Sequence, residues 1–182
     1  EMPHFSQQTT KPLCVVASLR ETLFPHPTRK AEPMRAFVIH SQDDLNDSEV
    51  MELPTPSPDA GEVLIRVSAA ALNPADRYLA QRLYPGRPTF PHILGRDCVG
   101  VVDEVGEGVT AVSKGDRVVA FRGDIGINRA GTLAENVCAP TDCVAAAPEG
   151  WSDQEAAALP LVHQTAYMCL TQFGKIDSAG RE

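Results

Sequence analysis

Between Met34 and Pro148 the chain is a succession of short apolar runs, each soon stopped by Gly, Pro or Asp. MRAFVIH, VMEL, EVLIRVSA, DCVGVV, DRVVAF, ENVCAP and DCVAAA follow one another in this way. Runs this short, rich in β-branched residues and closely spaced between turn signals, form strands, and their number suits a small barrel or curled sheet. The alternation in EVLIRVSA puts Val63, Ile65 and Val67 on one face and Leu64, Arg66 and Ser68 on the other.

Helices enter at only a few places. Asn73 before Pro74 is a cap followed by a favoured first helical residue, which predicts a short helix over 74–82 carrying Tyr78, with Tyr84 just beyond it. Ser152 with Glu155 three residues on is a capping box opening a second helix, which Pro160 breaks. LVHQTAYMCLTQFG then predicts a helix over 161–173 closed by Gly174. Leu161, Val162, Ala166, Cys169 and Leu170 form its apolar stripe.

The outline is a leader over 1–33, a β-rich domain over 34–148, and linking helices over 149–182. The leader is rich in Pro, Ser, Thr and Gln without periodicity and reads as disordered. A targeting role for it is the weaker reading, because Glu1, Glu21 and Glu32 offset Arg20, Arg29 and Lys30. The chain opens on Glu1 and stops at Glu182 on a polar stretch, which reads as a fragment or a processed chain.

A net charge of −8 with scattered Lys and Arg argues against nucleic acid as a partner. No apolar run approaches the roughly 20 residues of a membrane span. Cys14, Cys98, Cys138, Cys143 and Cys169 are odd in number and read as reduced thiols of an intracellular, cytoplasmic protein. Cys138 and Cys143 lie close together with no second Cys or His pair nearby. They read as small apolar residues in adjoining strands and not as a zinc site. GEGVTA, residues 106–111, formally fits a dinucleotide-binding turn, but Lys114-Gly115-Asp116 and a strand-like DRVVAF follow at once, so it reads as a hairpin turn. His92 and His163 read as structural.

The order GEVLIRVSAAALNPADRYLAQRLYP, ILGRDCVGVVDEVGEGVTAVSKGDRVVAF, GTLAENV and AALPLVHQTAY resembles the medium-chain dehydrogenase/reductase superfamily, and most of all its zinc-free quinone oxidoreductase branch. The resemblance covers 34 to about 174. It implies a mainly β, GroES-like barrel with short helices, whose C-terminal linking helices lead toward a Rossmann domain absent from this chain. It further implies an NADPH-dependent reductase of quinones or α,β-unsaturated carbonyls, inactive as this half alone, and a homodimer at full length. In zinc-dependent relatives a cysteine stands at Asn73 and a His-Glu pair at Arg96 and Asp97. An amide and a guanidinium cannot bind zinc, so no metal is expected.

By the same resemblance Asn73 and Tyr78 are the catalytic donors, Tyr84 lines the substrate pocket, and Asn73 and Thr165 lie near the nicotinamide. Each also has a structural reading. Asn73 caps a helix, Tyr78 fills a core, Tyr84 fixes a loop, and Thr165 bonds the preceding turn. Arg96 either attracts an anion or, as preferred, pairs with Asp76 or Asp97. Beside the reductase stand two other readings: a non-catalytic GroES-like module or truncated remnant, and a zinc alcohol dehydrogenase.

Overall fold

The computed structural model describes residues 32–42 and 46–173. Residues 1–31 of the expected leader, with Cys14, and the helix-closing Gly174 lie outside the described residues, while Pro33, expected in the leader, already pairs with Pro54. Within them, two antiparallel sheets are built from short strands. The first sheet has the order β2-β1-β4, with β1 Pro33–Ile39, β2 Ser48–Pro54 and β4 His92–Ile93. The second has the order β7-β3-β5-β6-β8, with β3 Glu62–Ala70, β5 Cys98–Val105, β6 Arg117–Ala120, β7 Asn136–Pro140 and β8 Val144–Ala146.

Residues 133–135 join the two sheets. Leu133 O accepts from Phe37 N at 2.8 Å, and Glu135 O accepts from Val67 N at 2.9 Å. A segment bonded to both sheets makes them one curled wall, as the expected barrel-like fold requires.

Val63 and Ile65 of β3 are wholly buried with Cys98, Val102, Val118 and Val137 in the main core, and Val67 packs against it. This is the face that the alternation assigned. Removing a Val side chain from water contributes about 1.5–3 kcal/mol, so this β3–β5–β6 centre dominates the fold's stability. Leu64, assigned to the opposite face, is buried too, whereas Arg66 is exposed. β3 lies between β5 and β7, and its first half is covered on both sides.

Among the described residues three α-helices accompany the sheets: α1 Pro74–Ala80, α2 Asp153–Ala158 and α3 Pro160–Met168, which continues into a π-helical turn over Cys169–Phe173. α1 is two residues shorter than expected. Arg82 adopts φ +58°, and Leu83 N donates to Tyr78 O at 2.7 Å while Arg82 N donates to Leu79 O at 3.0 Å. That pair of bonds is a Schellman closure, here with an arginine where glycine is usual.

The expected capping box of α2 forms, with Ser152 N donating to Glu155 Oε2 at 2.9 Å. The Ala156–Ala157 face of α2 packs on Val99 and Val119, the side of β5 and β6 away from the main core. Cys143 sits in a single 3-10 turn, Thr141–Cys143, and not in a strand as expected. Thr141 donates both its N–H and its hydroxyl to Gly61 O, which folds the chain there before β8 begins.

Candidate functional site

β3 runs out at Ala70, and two residues later Asn73 stands in extended conformation, φ −116° and ψ 150°, as the residue before a proline prefers. Pro74 opens α1. Asp76 accepts the Asn73 N–H at 2.8 Å, and its own N–H returns to Asn73 O at 3.0 Å. Gln42 Nε2 donates to Leu79 O at 2.9 Å and fixes the other end of the helix. Asp76, Leu79 and Ala80 face inward, and Tyr78 stands outward with Arg77.

Opposite the start of α1 lies the turn Gly95-Arg96-Asp97 between β4 and β5. Gly95 has φ +99°, and a Cβ there would lie 2.8 Å from Leu133 N and collide with the Thr132 hydroxyl. The turn is zipped to residues 131–133 by Gly131 N to Ile93 O at 2.8 Å, Thr132 N to Gly95 O at 3.1 Å and Leu133 N to Leu94 O at 2.9 Å. The close approach is backbone against backbone, which only glycine allows at this φ.

That turn places the Asp97 carboxyl in the interior at 0% exposure. Its Oδ1 accepts from Asn73 Nδ2 at 2.7 Å and its Oδ2 accepts from Leu161 N, in the first turn of α3, at 3.0 Å. Thr132 Oγ1 donates to Asp97 O at 3.1 Å. A buried carboxylate is tolerated only when such donors meet it. Burial pushes the Asp97 pKa above its ordinary value. The Leu161 N–H and the Asn73 amide pull it back, and the Asp76 charge raises it further against Arg96. Asp76 is likewise raised by burial, countered by the Asn73 N–H, Arg96 and the Gly95 N–H.

The ion pair expected of Arg96 with either aspartate does not form among the described residues. The guanidinium instead lies 5.0 Å from the centroid of the Tyr84 ring, and its charge reaches both carboxyls from there. Stacking on an aromatic face suits the planar guanidinium and contributes about 0.5–1 kcal/mol at a partly exposed site. Tyr84 is half-buried against Ile39, Leu79, Ala80, Leu94 and Ile127.

The structure thus gathers Asn73, Asp76, Arg96, Asp97 and Tyr84 with the start of α3. Thr165 joins only indirectly: its hydroxyl donates to Leu161 O at 2.7 Å, the preceding-turn bond that its structural reading foresaw. Tyr78 is 48% exposed on the outer face of α1 and makes no core contact of the kind its structural reading supposed. Asp97 and the Leu161 N–H are the elements that sequence reasoning did not place together. The available signal was an acidic residue leading straight into the apolar run of β5.

The donor set does not fit zinc. It offers an amide bonded to a carboxylate, a cation, and two carboxyls turned toward N–H groups. Among the described residues no three His, Cys, Asp or Glu side chains gather in a metal-binding cluster. Nor does residues 106–111 form a pyrophosphate cradle. Gly106 N donates to Glu62 O at 2.8 Å, and the segment connects β5 to β6 with no helix at its end. His92 is buried and held neutral by burial, and His163 Nδ1 lies 3.0 Å from Leu159 O, so both serve the fold.

A curled antiparallel wall that opens an Asn-Pro helix beside a Gly-Arg-Asp turn defines a mainly β, GroES-like domain. Residues 59–149 match the family described as the alcohol dehydrogenase GroES-like domain. The chain is 40% identical over 121 residues to the synaptic vesicle membrane protein VAT-1 homolog of Danio rerio, covering 66% of this chain and 24% of that protein. It is 36% identical over 136 residues to the chloroplastic quinone-oxidoreductase homolog of Spinacia oleracea, covering 71% and 40%. The crystal structure of the human VAT-1 homolog-like protein superposes with a TM-score of 0.71 at 35% identity, covering 79% of this chain and 44% of the other. The chain belongs to the alcohol dehydrogenase GroES-like family, within the quinone oxidoreductase-like part of the medium-chain dehydrogenase/reductase superfamily. It spans between 24% and 40% of the length of the curated relatives it matches.

Proposed function

We propose that the protein reduces quinones or α,β-unsaturated carbonyls with NADPH and without zinc, in the cytoplasm, these residues forming the substrate side of the site. The observation that carries this reading is the bond from Asn73 to Asp97. It holds a neutral amide in a buried position, with one N–H committed to the carboxylate and the second outside that bond.

NADPH, held mainly by a domain other than this one, would supply the hydride. The oxygen of the substrate then gains negative charge, and the second Asn73 N–H and the Tyr78 hydroxyl are the donors assigned to it. Tyr84, fixed by packing and by Arg96, would line the substrate side, and Thr165 on α3 would help to hold the nicotinamide. Preorganised donors aimed at a developing oxyanion each contribute a factor of about 100–1000 in turnover. The free thiols of Cys98, Cys138, Cys143 and Cys169 fit a reducing compartment.

The test is NADPH oxidation by the longest natural form of the protein with a simple quinone. An unchanged rate in Tyr78→Phe removes Tyr78 from the mechanism, and an unchanged rate in Asn73→Ala sinks the reading.

One observation favours a second reading, a module that acts by protein contact. Val162, Tyr167, Met168 and Leu170 around α3 are all more than two-fifths exposed. The turnover assay on the longest natural form separates the two: NADPH oxidation with a quinone supports the enzyme, and its absence supports the contact role.

A further inference from the structure

We infer that Asp97 is a positioning residue that sets the direction of the Asn73 amide and locks the start of α3 to it. The inference rests on the proposed role of Asn73 and adds the device that makes that role geometrically definite.

An amide side chain has two nearly equivalent ends, and its partner decides which end points where. A carboxylate accepts and never donates when ionised, so Asp97 forces the nitrogen of Asn73 inward and toward itself. The same carboxylate holds the Leu161 N–H through its other oxygen. One rigid group, wholly buried and itself anchored by Thr132 Oγ1 on its backbone carbonyl, therefore fixes a side chain on α1 and the backbone of α3 together. Leu161 also carries the carbonyl that receives the Thr165 hydroxyl, so the line from Asn73 to Thr165 runs through three consecutive hydrogen bonds. The acceptor must serve two donors at once. An amide at position 97 has one acceptor oxygen and would turn its own N–H groups toward one of them.

The experiment compares Asp97→Ala with Asp97→Asn. Alanine removes both acceptors, whereas in Asp97→Asn the amide oxygen still accepts from Leu161 and the Asn73 amide turns over to present its oxygen to the new N–H. Amide hydrogen exchange in the 182-residue chain reads the lock. Turnover of NADPH with a quinone in the longest natural form reads its consequence. Asp97→Ala is expected to lower protection of the Leu161 amide at least tenfold while Val99 and Val102 in β5 keep theirs. Asp97→Asn is expected to keep that protection and still lower kcat at least tenfold with KM changed less than threefold, because the Asn73 amide then points the other way.

Unchanged Leu161 protection in Asp97→Ala overturns the lock. Unchanged turnover in Asp97→Asn, in a protein whose Asn73→Ala variant is impaired, overturns the positioning role. Unimpaired turnover in Asn73→Ala counts against the proposed function instead, and the lock is then judged on protection alone.

Discussion

Leu161 donates its backbone N–H to Asp97 Oδ2 at 3.0 Å across 64 positions of sequence. Removing the acceptor strands two buried donors, the Leu161 N–H and the Asn73 amide. Unmet buried donors cost about 1–3 kcal/mol each, offset in part by relief of a buried charge, so Asp97→Ala is expected to lose about 2–4 kcal/mol. Urea denaturation measures it, and a loss below 1 kcal/mol contradicts the geometry.

Both Asp76 and Asp97 have pKa values raised above 3.8, chiefly by burial. A carboxyl raised in the fold favours the folded state when protonated. Its contribution is complete below about pH 4 and is lost as pH rises through the folded value. The stability difference between wild type and Asp76→Asn should therefore shift against the wild type as pH climbs from 4 toward neutrality. Denaturation midpoints of both proteins at each pH supply the test, and a difference independent of pH refutes it.

His92 is pushed below 6.5 by burial, against the Gly126 carbonyl. The unfolded chain therefore takes up a proton near 6.5 that the folded chain refuses, so stability falls as pH drops from that value toward the folded one. His92→Phe should abolish that loss when its pH profile is set beside the wild type. An identical slope in both would show that His92 titrates normally.

Gly95 and Gly108 both have positive φ, +99° and +78°, but a Cβ meets nothing within 4 Å at Gly108 and lies 2.8 Å from Leu133 N at Gly95. Gly108→Ala should cost about 1 kcal/mol from backbone strain alone, and Gly95→Ala at least twice as much. Equal costs would mean that residues 131–133 do not press on the turn.

Cys169 is exposed, whereas burial pushes the Cys98 and Cys138 thiols up to about 12 and raises Cys143 as well. Only the thiolate reacts with alkylating reagents. Among these four, Cys169 should label first at pH 8, as mass spectrometry after digestion would show. Early labelling of Cys98 would point to opening of the core between β3 and β5.

The strands were legible because period-two alternation and turn residues are local signals, and Val63, Ile65 and Val67 face the core as their spacing says. Both helix starts were legible for the same reason, since a cap acts within four residues. The end of α1 was not, because Arg82 takes a conformation that sequence assigns to glycine. Asn73 stood out at once, beside a proline and in the place of a metal ligand. What holds it did not, because its partner lies 24 positions away and the third member 64 positions beyond that partner. The preference for an Arg96 ion pair failed on competition: the aspartates are engaged by N–H groups, and the guanidinium finds the Tyr84 ring instead.

The interlock of Gly95 with residues 131–133 also bears on redesign. The Leu133 backbone N–H cannot rotate away as a side chain can, so a mutation library that replaces Gly95 would lose stability in most of its members. Diversity aimed at a new substrate belongs at the side chains of Leu72 and Leu83, which are 79% and 71% exposed and border the Asn73 helix.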